Sequence, residues 1–170
     1  MKPKPEDYDA IYSGYISLIG DDDIIKVLEE QRKTSEKFLK TFTEEQGNYY
    51  YADGKWTVKE VLGHVIDTER IMAYRALAFA RGEKQSLPGF EQDDYVAESN
   101  FNKRSLADLI NEFITIRESN IILFRSFNEE ILIRRGTASE SEVTVLALIY
   151  IIAGHEKHHM KFLKERYVKN

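Results

Sequence analysis

The sequence contains no cysteine. That removes a thiol nucleophile, a disulfide frame, a C-x-x-C redox pair and a thiolate metal site together. Proline is nearly as scarce: of three, two are Pro3 and Pro5, and only Pro88 lies in the remaining chain. A proline in a helix interior costs about 3 kcal/mol, so this chain is free to hold long unbroken helices. Positive charge is not in excess. The 170 residues carry 24 Lys and Arg against 29 Asp and Glu, a formal charge of −5. This argues against nucleic acid as a partner, because phosphate binding needs clustered Lys and Arg. Long apolar runs are missing too. The longest, from Val143 to Ala153, falls short of the roughly 20 residues of a membrane-spanning helix. The first ten residues have no apolar leader core. A cytoplasmic protein with no membrane partner is the expectation, folded as one domain over residues 1–170.

What is present is helical periodicity. Four segments carry apolar residues near the 3.6 spacing of a buried helix face. The first runs from about Asp22 to Phe42, with Ile24, Leu28, Gln31, Ser35, Phe38 and Phe42 on one face. The second runs from about Thr57 to Arg81 and opens on Thr57 and Glu60, a capping box. The third runs from about Ser105 to Phe127, and the fourth from about Glu142 to Tyr167. Two short stretches, Asn48 to Tyr51 and Glu130 to Ile133, read as loops. Strand alternation is not evident, so the fold class is all-α, a four-helix bundle. The connection from Gly82 to Arg104 is long, and it leaves room for an order other than simple up-down-up-down.

The histidines fall in two places. His64 lies inside the second helix, and His155, His158 and His159 lie in the fourth. His155 and His159 are four apart, so they share a helix face with Leu148, Ile151, Ile152 and Phe162. That face points to the bundle interior, while His158 sits about 100° round from His159. Gly63 precedes His64 and Gly154 precedes His155. Glycine inside a helix costs about 1 kcal/mol against alanine, so two of them suggest close backbone approach where the helices cross. A lone His64 is a common core residue. Every histidine of the chain gathered into this pattern points instead to a metal site. Three imidazoles suit zinc, nickel or a similar borderline ion, and three protein ligands leave a coordination position open.

His155-Glu156-x-x-His159 has the form of the zinc-protease motif H-E-x-x-H. The extended form would need Gly at 162 and His at 165, where the chain has Phe162 and Glu165. The protease assignment is therefore rejected. Glu156 stands open between a catalytic base and a solvated helix-surface carboxylate.

The run Gly54-Lys55-Trp56-Thr57-Val58-Lys59-Glu60-Val61-Leu62-Gly63-His64 resembles the signature of the DinB-like superfamily. So do its continuation to Arg70, the stretch Leu87-Pro88-Gly89-Phe90 and the closing Tyr150 to His159. The resemblance implies an up-down-down-up bundle and a divalent metal, zinc or nickel, on His64, His155 and His159. It implies a homodimer as well. Its members include transferases that use low-molecular-weight thiols.

Three functions remain open. One is a metal-dependent thiol transferase, in which Arg75 and Arg81 could receive a carboxylate-bearing thiol or form ordinary ion pairs with Glu69 or Asp67. The second is a hydrolase using metal-activated water. The third is a bundle whose metal only pins two helices. Trp56, Phe90, Tyr95 and Phe101 could wall a pocket at the metal end or pack the long connection onto the bundle.

Overall fold

The structure is a computed structural model, and it describes residues 1–168. It contains helices α1 (Ser13–Ser17), α2 (Ile24–Leu39), α3 (Glu44–Gly47), α4 (Val58–Ala80), α5 (Gln92–Glu98), α6 (Leu106–Arg125), α7 (Glu129–Leu132) and α8 (Val145–Arg166). A small antiparallel hairpin, β1 (Arg135–Ala138) and β2 (Ser141–Thr144), precedes α8. Each long helix starts on a side-chain cap. Asp23 accepts from Ile25 and Lys26, Ser105 from Asp108, and Thr144 from Ala147. Thr57 and Glu60 form the reciprocal capping box expected of that pair.

Cross-helix contacts fix the topology. Along α2 and α8, Gln31 donates to the Ala153 carbonyl at 2.9 Å and Lys164 lies over the Phe38 ring. Residue numbers rise together, so these helices are parallel. The same holds for α4 and α6, where Arg70 pairs with Glu112 and, further on, Leu77 and Leu123 line one groove. Helices α4 and α8 are antiparallel: Tyr167 donates to the Trp56 carbonyl, whereas His64 meets His155. Helices α2 and α6 are antiparallel as well, with Glu29 on Arg125 and Arg32 on Glu118. The order is up-down-down-up, and α2 lies diagonally across from α4.

The core is in two parts. One apolar cluster gathers Leu28, Met72, Ala76, Phe79, Phe124 and the first half of α8. The other gathers Leu39, Val61, Leu62, Leu109, Phe113 and Leu163. Between them every bundle helix contributes buried polar groups: Ser35, His64, Thr68, Glu69, Arg117, His155 and Glu156. The interior is therefore layered as oil, polar, oil. Burying that middle layer is tolerable only where its members satisfy one another.

Three local expectations change. The fourth helix begins at Val145, because Glu142 to Thr144 form β2. Ser139 and Glu140 turn the hairpin with φ of 51° and 65°, the left-handed conformations that a two-residue hairpin turn requires. Asn-Gly usually advertises such a turn, and Ser-Glu does not. The segment read as a loop from Glu130 to Ile133 contains most of α7, a single turn capped by Asn128. The 82–104 connection holds α5 and a 3₁₀ turn at Phe101–Lys103. Its Leu87 also exchanges backbone hydrogen bonds with Thr137 and Ser139. Among the described residues no helix is long and apolar enough to cross a membrane.

Candidate metal centre

His64 sits two turns into α4, and His155 and His159 sit one turn apart on the antiparallel α8. The Nε2 of His155 lies 3.0 Å from that of His64 and 3.1 Å from that of His159. One ligand atom from each ring falls within 4.8 Å of the others. Nitrogens bound at 2.0–2.1 Å to a tetrahedral ion stand about 3.3 Å apart. The two separations at His155 fall a few tenths of an ångström short of that spacing, and the third pair lies within 4.8 Å. The donor chemistry fits equally well. Three Nε2 atoms facing one another cannot all be protonated, and lone pairs at this range repel unless a proton or a cation lies between them. Burial pushes His64 down to about 4, against an opposing pull from Asp93 on α5. It pushes His159 down to about 3, helped by His64 and His158. His155 is driven well below its ordinary value, first by burial and then by its neighbours. All three are neutral near pH 7, the form that binds a metal. The Nδ1 of His159 is buried and unpaired.

His158 is exposed and stays outside this set. Trp56 packs its ring 5.0 Å from that of His64. On the other side Tyr15 of α1 sets its ring edge-on to His155 at 5.3 Å and to His158 at 5.4 Å. Tyr15 was not legible as a site residue, since nothing in α1 repeats or pairs with the histidine motifs.

The two glycines do mark close approaches, but not a crossing of α4 with α8. A side chain at Gly63 would overlap the ring of Phe101, and one at Gly154 would overlap the backbone carbonyl of Tyr15. The spaces admit outlying segments to the surface of each helix. Arg75 and Arg81 do not serve the histidine cluster. Arg75 is buried and donates to the Pro88 carbonyl and Ser139 Oγ, tying the long connection to the hairpin. Arg81 lies over the Phe127 ring. Of the four aromatics, Trp56 alone has its ring against one of the three clustered histidines. Phe101 fills the notch over Gly63, and Phe90 and Tyr95 pack against each other with tilted rings beside Arg75.

Glu156 is not a solvated surface group; it is 1% exposed. Its Oε2 accepts from Arg117 at 2.6 Å and its Oε1 from Ser35. Arg117, wholly buried, grips Glu69 with a second fork at 2.7 and 2.9 Å. Asn120 also donates to Glu69. Burial alone would lower the Arg117 pKa, but the Glu156 and Glu69 carboxylates outweigh it and raise the value. Burial raises Glu156, against the pull of Arg117 and the hydrogen bond from Ser35. The network joins α2, α4, α6 and α8 in one layer. Sequence reading missed it because Arg117 shows no partner at i±4 spacing. A groove of about 820 Å³ between α2 and α8 has Ser35 and Glu156 on its lining and none of the three ligand candidates.

Fold and site together define a class: an up-down-down-up helical bundle in which two buried histidines and one half-buried histidine converge as a metal could require. The chain belongs to the DinB superfamily, whose family profile matches residues 27–163. It is 22% identical over 148 residues to Putative metal-dependent hydrolase OB0413 of Oceanobacillus iheyensis, covering 82% of this chain and 81% of that one. The fold is similar to that of YfiT from Bacillus subtilis, described as a probable metal-dependent hydrolase with an unusual four-helix bundle topology. That match has a TM-score of 0.76 and 18% identity, over 86% of this chain and 87% of the other. It is also similar to the mycothiol-dependent maleylpyruvate isomerase, with a TM-score of 0.69 and 11% identity, over 85% of this chain and 61% of that one.

Proposed function

We propose that this protein is a divalent-metal enzyme that takes a low-molecular-weight thiol as thiolate and transfers it to an electrophile. The donor set carries the reading: three neutral imidazoles converge with no carboxylate among them. His64, His155 and His159 would hold the ion, zinc or nickel, both of which suit imidazole. When bound, such an ion supplies Lewis acidity that deprotonates a coordinating thiol. Three protein ligands leave one tetrahedral position for the substrate. Both oxygens of Glu156 are engaged, by Ser35 and Arg117. We assign it the positioning of α8, which keeps His155 and His159 turned toward α4, rather than proton transfer. On this reading the thiol proton would pass to solvent, so no carboxylate base is asked of this chain. The chain has no cysteine, so the sulfur arrives with the substrate. The printed name of one structural neighbour, a mycothiol-dependent enzyme, supports this reading. The names of two other relatives favour a second, hydrolysis by metal-activated water.

The deciding experiment loads the protein with Zn²⁺ or Ni²⁺ and follows conjugation of small thiols to an electrophile such as a haloalkyl bimane, with and without chelator. Metal-dependent conjugation is expected. Turnover of esters or amides without added thiol, and none with it, would replace transfer by hydrolysis. A second copy of the chain is the proposed partner, and sedimentation of the loaded protein tests it.

A further inference from the structure

Two segments outside the four bundle helices dock on the glycines that precede His64 and His155. Phe101 comes from the 82–104 connection into the notch at Gly63. Tyr15 comes from α1 into the notch at Gly154. The second approach is the more tightly built. Ile16 and Ile19 are buried at 2% exposure. Lys157 of α8 donates to the Leu18 carbonyl at 2.9 Å, and Lys2 donates to the Ile19 carbonyl at 2.8 Å. Tyr150 of α8 donates to the Met1 carbonyl at 3.1 Å. Segment 1–20 is thus strapped along α8 by two hydrogen bonds and two buried side chains, while Lys2 closes the segment on itself at Ile19. This segment lies wholly outside residues 27–163, the part that the family profile matches.

The strap delivers the Tyr15 ring edge-on to both His155 and His158. His155 is the ring whose Nε2 contacts both other ligand candidates, so its orientation sets the whole cluster. An imidazole ligand is normally oriented by a group on the side of the ring away from the metal, most often a hydrogen-bond acceptor; against His155 the neighbour is the Tyr15 ring. We propose that Tyr15 is a positioning residue of the metal centre, its ring holding His155 in the orientation that lets three imidazoles share one ion. Gly154 is then required because only a residue without Cβ lets the Tyr15 backbone close on α8. The inference rests on the metal reading above and concerns the ring of Tyr15, since its contacts at the cluster are through ring and backbone.

The test compares the full chain with Tyr15→Ala, Tyr15→Phe and Gly154→Ala. Zn²⁺ affinity is read by competition with a chromophoric chelator, and the ligand field is read from the visible bands of the Co²⁺-loaded proteins. Tyr15→Ala is expected to weaken Zn²⁺ about tenfold, the scale of losing a ligand-orienting partner, and to shift the Co²⁺ bands. Tyr15→Phe restores both. Gly154→Ala reproduces Tyr15→Ala, although alanine is the better helix former. Far-UV circular dichroism confirms that each variant is folded. If Tyr15→Ala does not fold, Tyr15→Leu carries the same comparison, with bulk retained and the ring removed. Wild-type affinity and unchanged bands in Tyr15→Ala and Gly154→Ala overturn the inference and leave the metal reading standing. A wild-type protein that binds neither Zn²⁺ nor Co²⁺ overturns both.

Discussion

At the scale of the residue, the three histidines shape the response to acid. Their pKa values lie below the ordinary 6.5, at about 4 for His64 and about 3 for His159. Below pH 6.5 the unfolded chain takes up protons that the folded, metal-free chain refuses. Stability of the metal-free protein is therefore full above about pH 6.5 and falls as pH drops toward 4. Urea midpoints measured from pH 7.5 to pH 4 check this, and substituting His64 and His159 together by Gln is expected to flatten the slope. His155→Ala is expected to abolish stoichiometric Zn²⁺ binding, as read by metal analysis after gel filtration. Which histidines converge was readable in the chain, because an i, i+4 pair on an apolar face has one place to point. Tyr15 was not, since its role depends on a backbone docking that no local spacing records.

At the scale of the element, each bundle helix is held in rotation by the Arg117 layer. Removing the guanidinium leaves the buried Glu69 and Glu156 carboxylates without their counter-charge. Arg117→Ala is expected to cost about 3–5 kcal/mol, the usual result of breaking a buried pair from one side, measured by chemical denaturation. Thr57→Ala removes the α4 cap and is expected to cost about 1 kcal/mol. It acts about two turns away from His64, so Zn²⁺ affinity in that variant should fall less than stability does. Helix existence and caps were legible because periodicity and Thr57-x-x-Glu60 are local signals. The hairpin before α8 was not: β1 and β2 are four residues each, too short for alternation to show. The partnership of Arg117 with Glu69 and Glu156 spans 48 and 39 residues, beyond any spacing rule.

At the scale of the whole molecule, a metal on these residues would clamp α4 to its antiparallel neighbour α8. Chelation of the loaded protein is expected to lower Tm. Saturation at 100 times Kd contributes about 2.7 kcal/mol, or roughly 5–10 °C in a chain of this size. Differential scanning calorimetry with and without chelator checks it. The topology has a further consequence, in time rather than in space. In an up-down-down-up bundle the helices that follow one another first, α2 and α4, lie on a diagonal and do not form the site. The histidines that meet are 91 residues apart, so a long loop must close before any ion finds its third nitrogen. Partly folded chains offer at most the two histidines of α8, and capture of the ion marks the last contacts made rather than the first. In stopped-flow refolding, Zn²⁺ should leave the early phase unchanged and slow unfolding from the finished state, so the site acts as a latch and not as a nucleus.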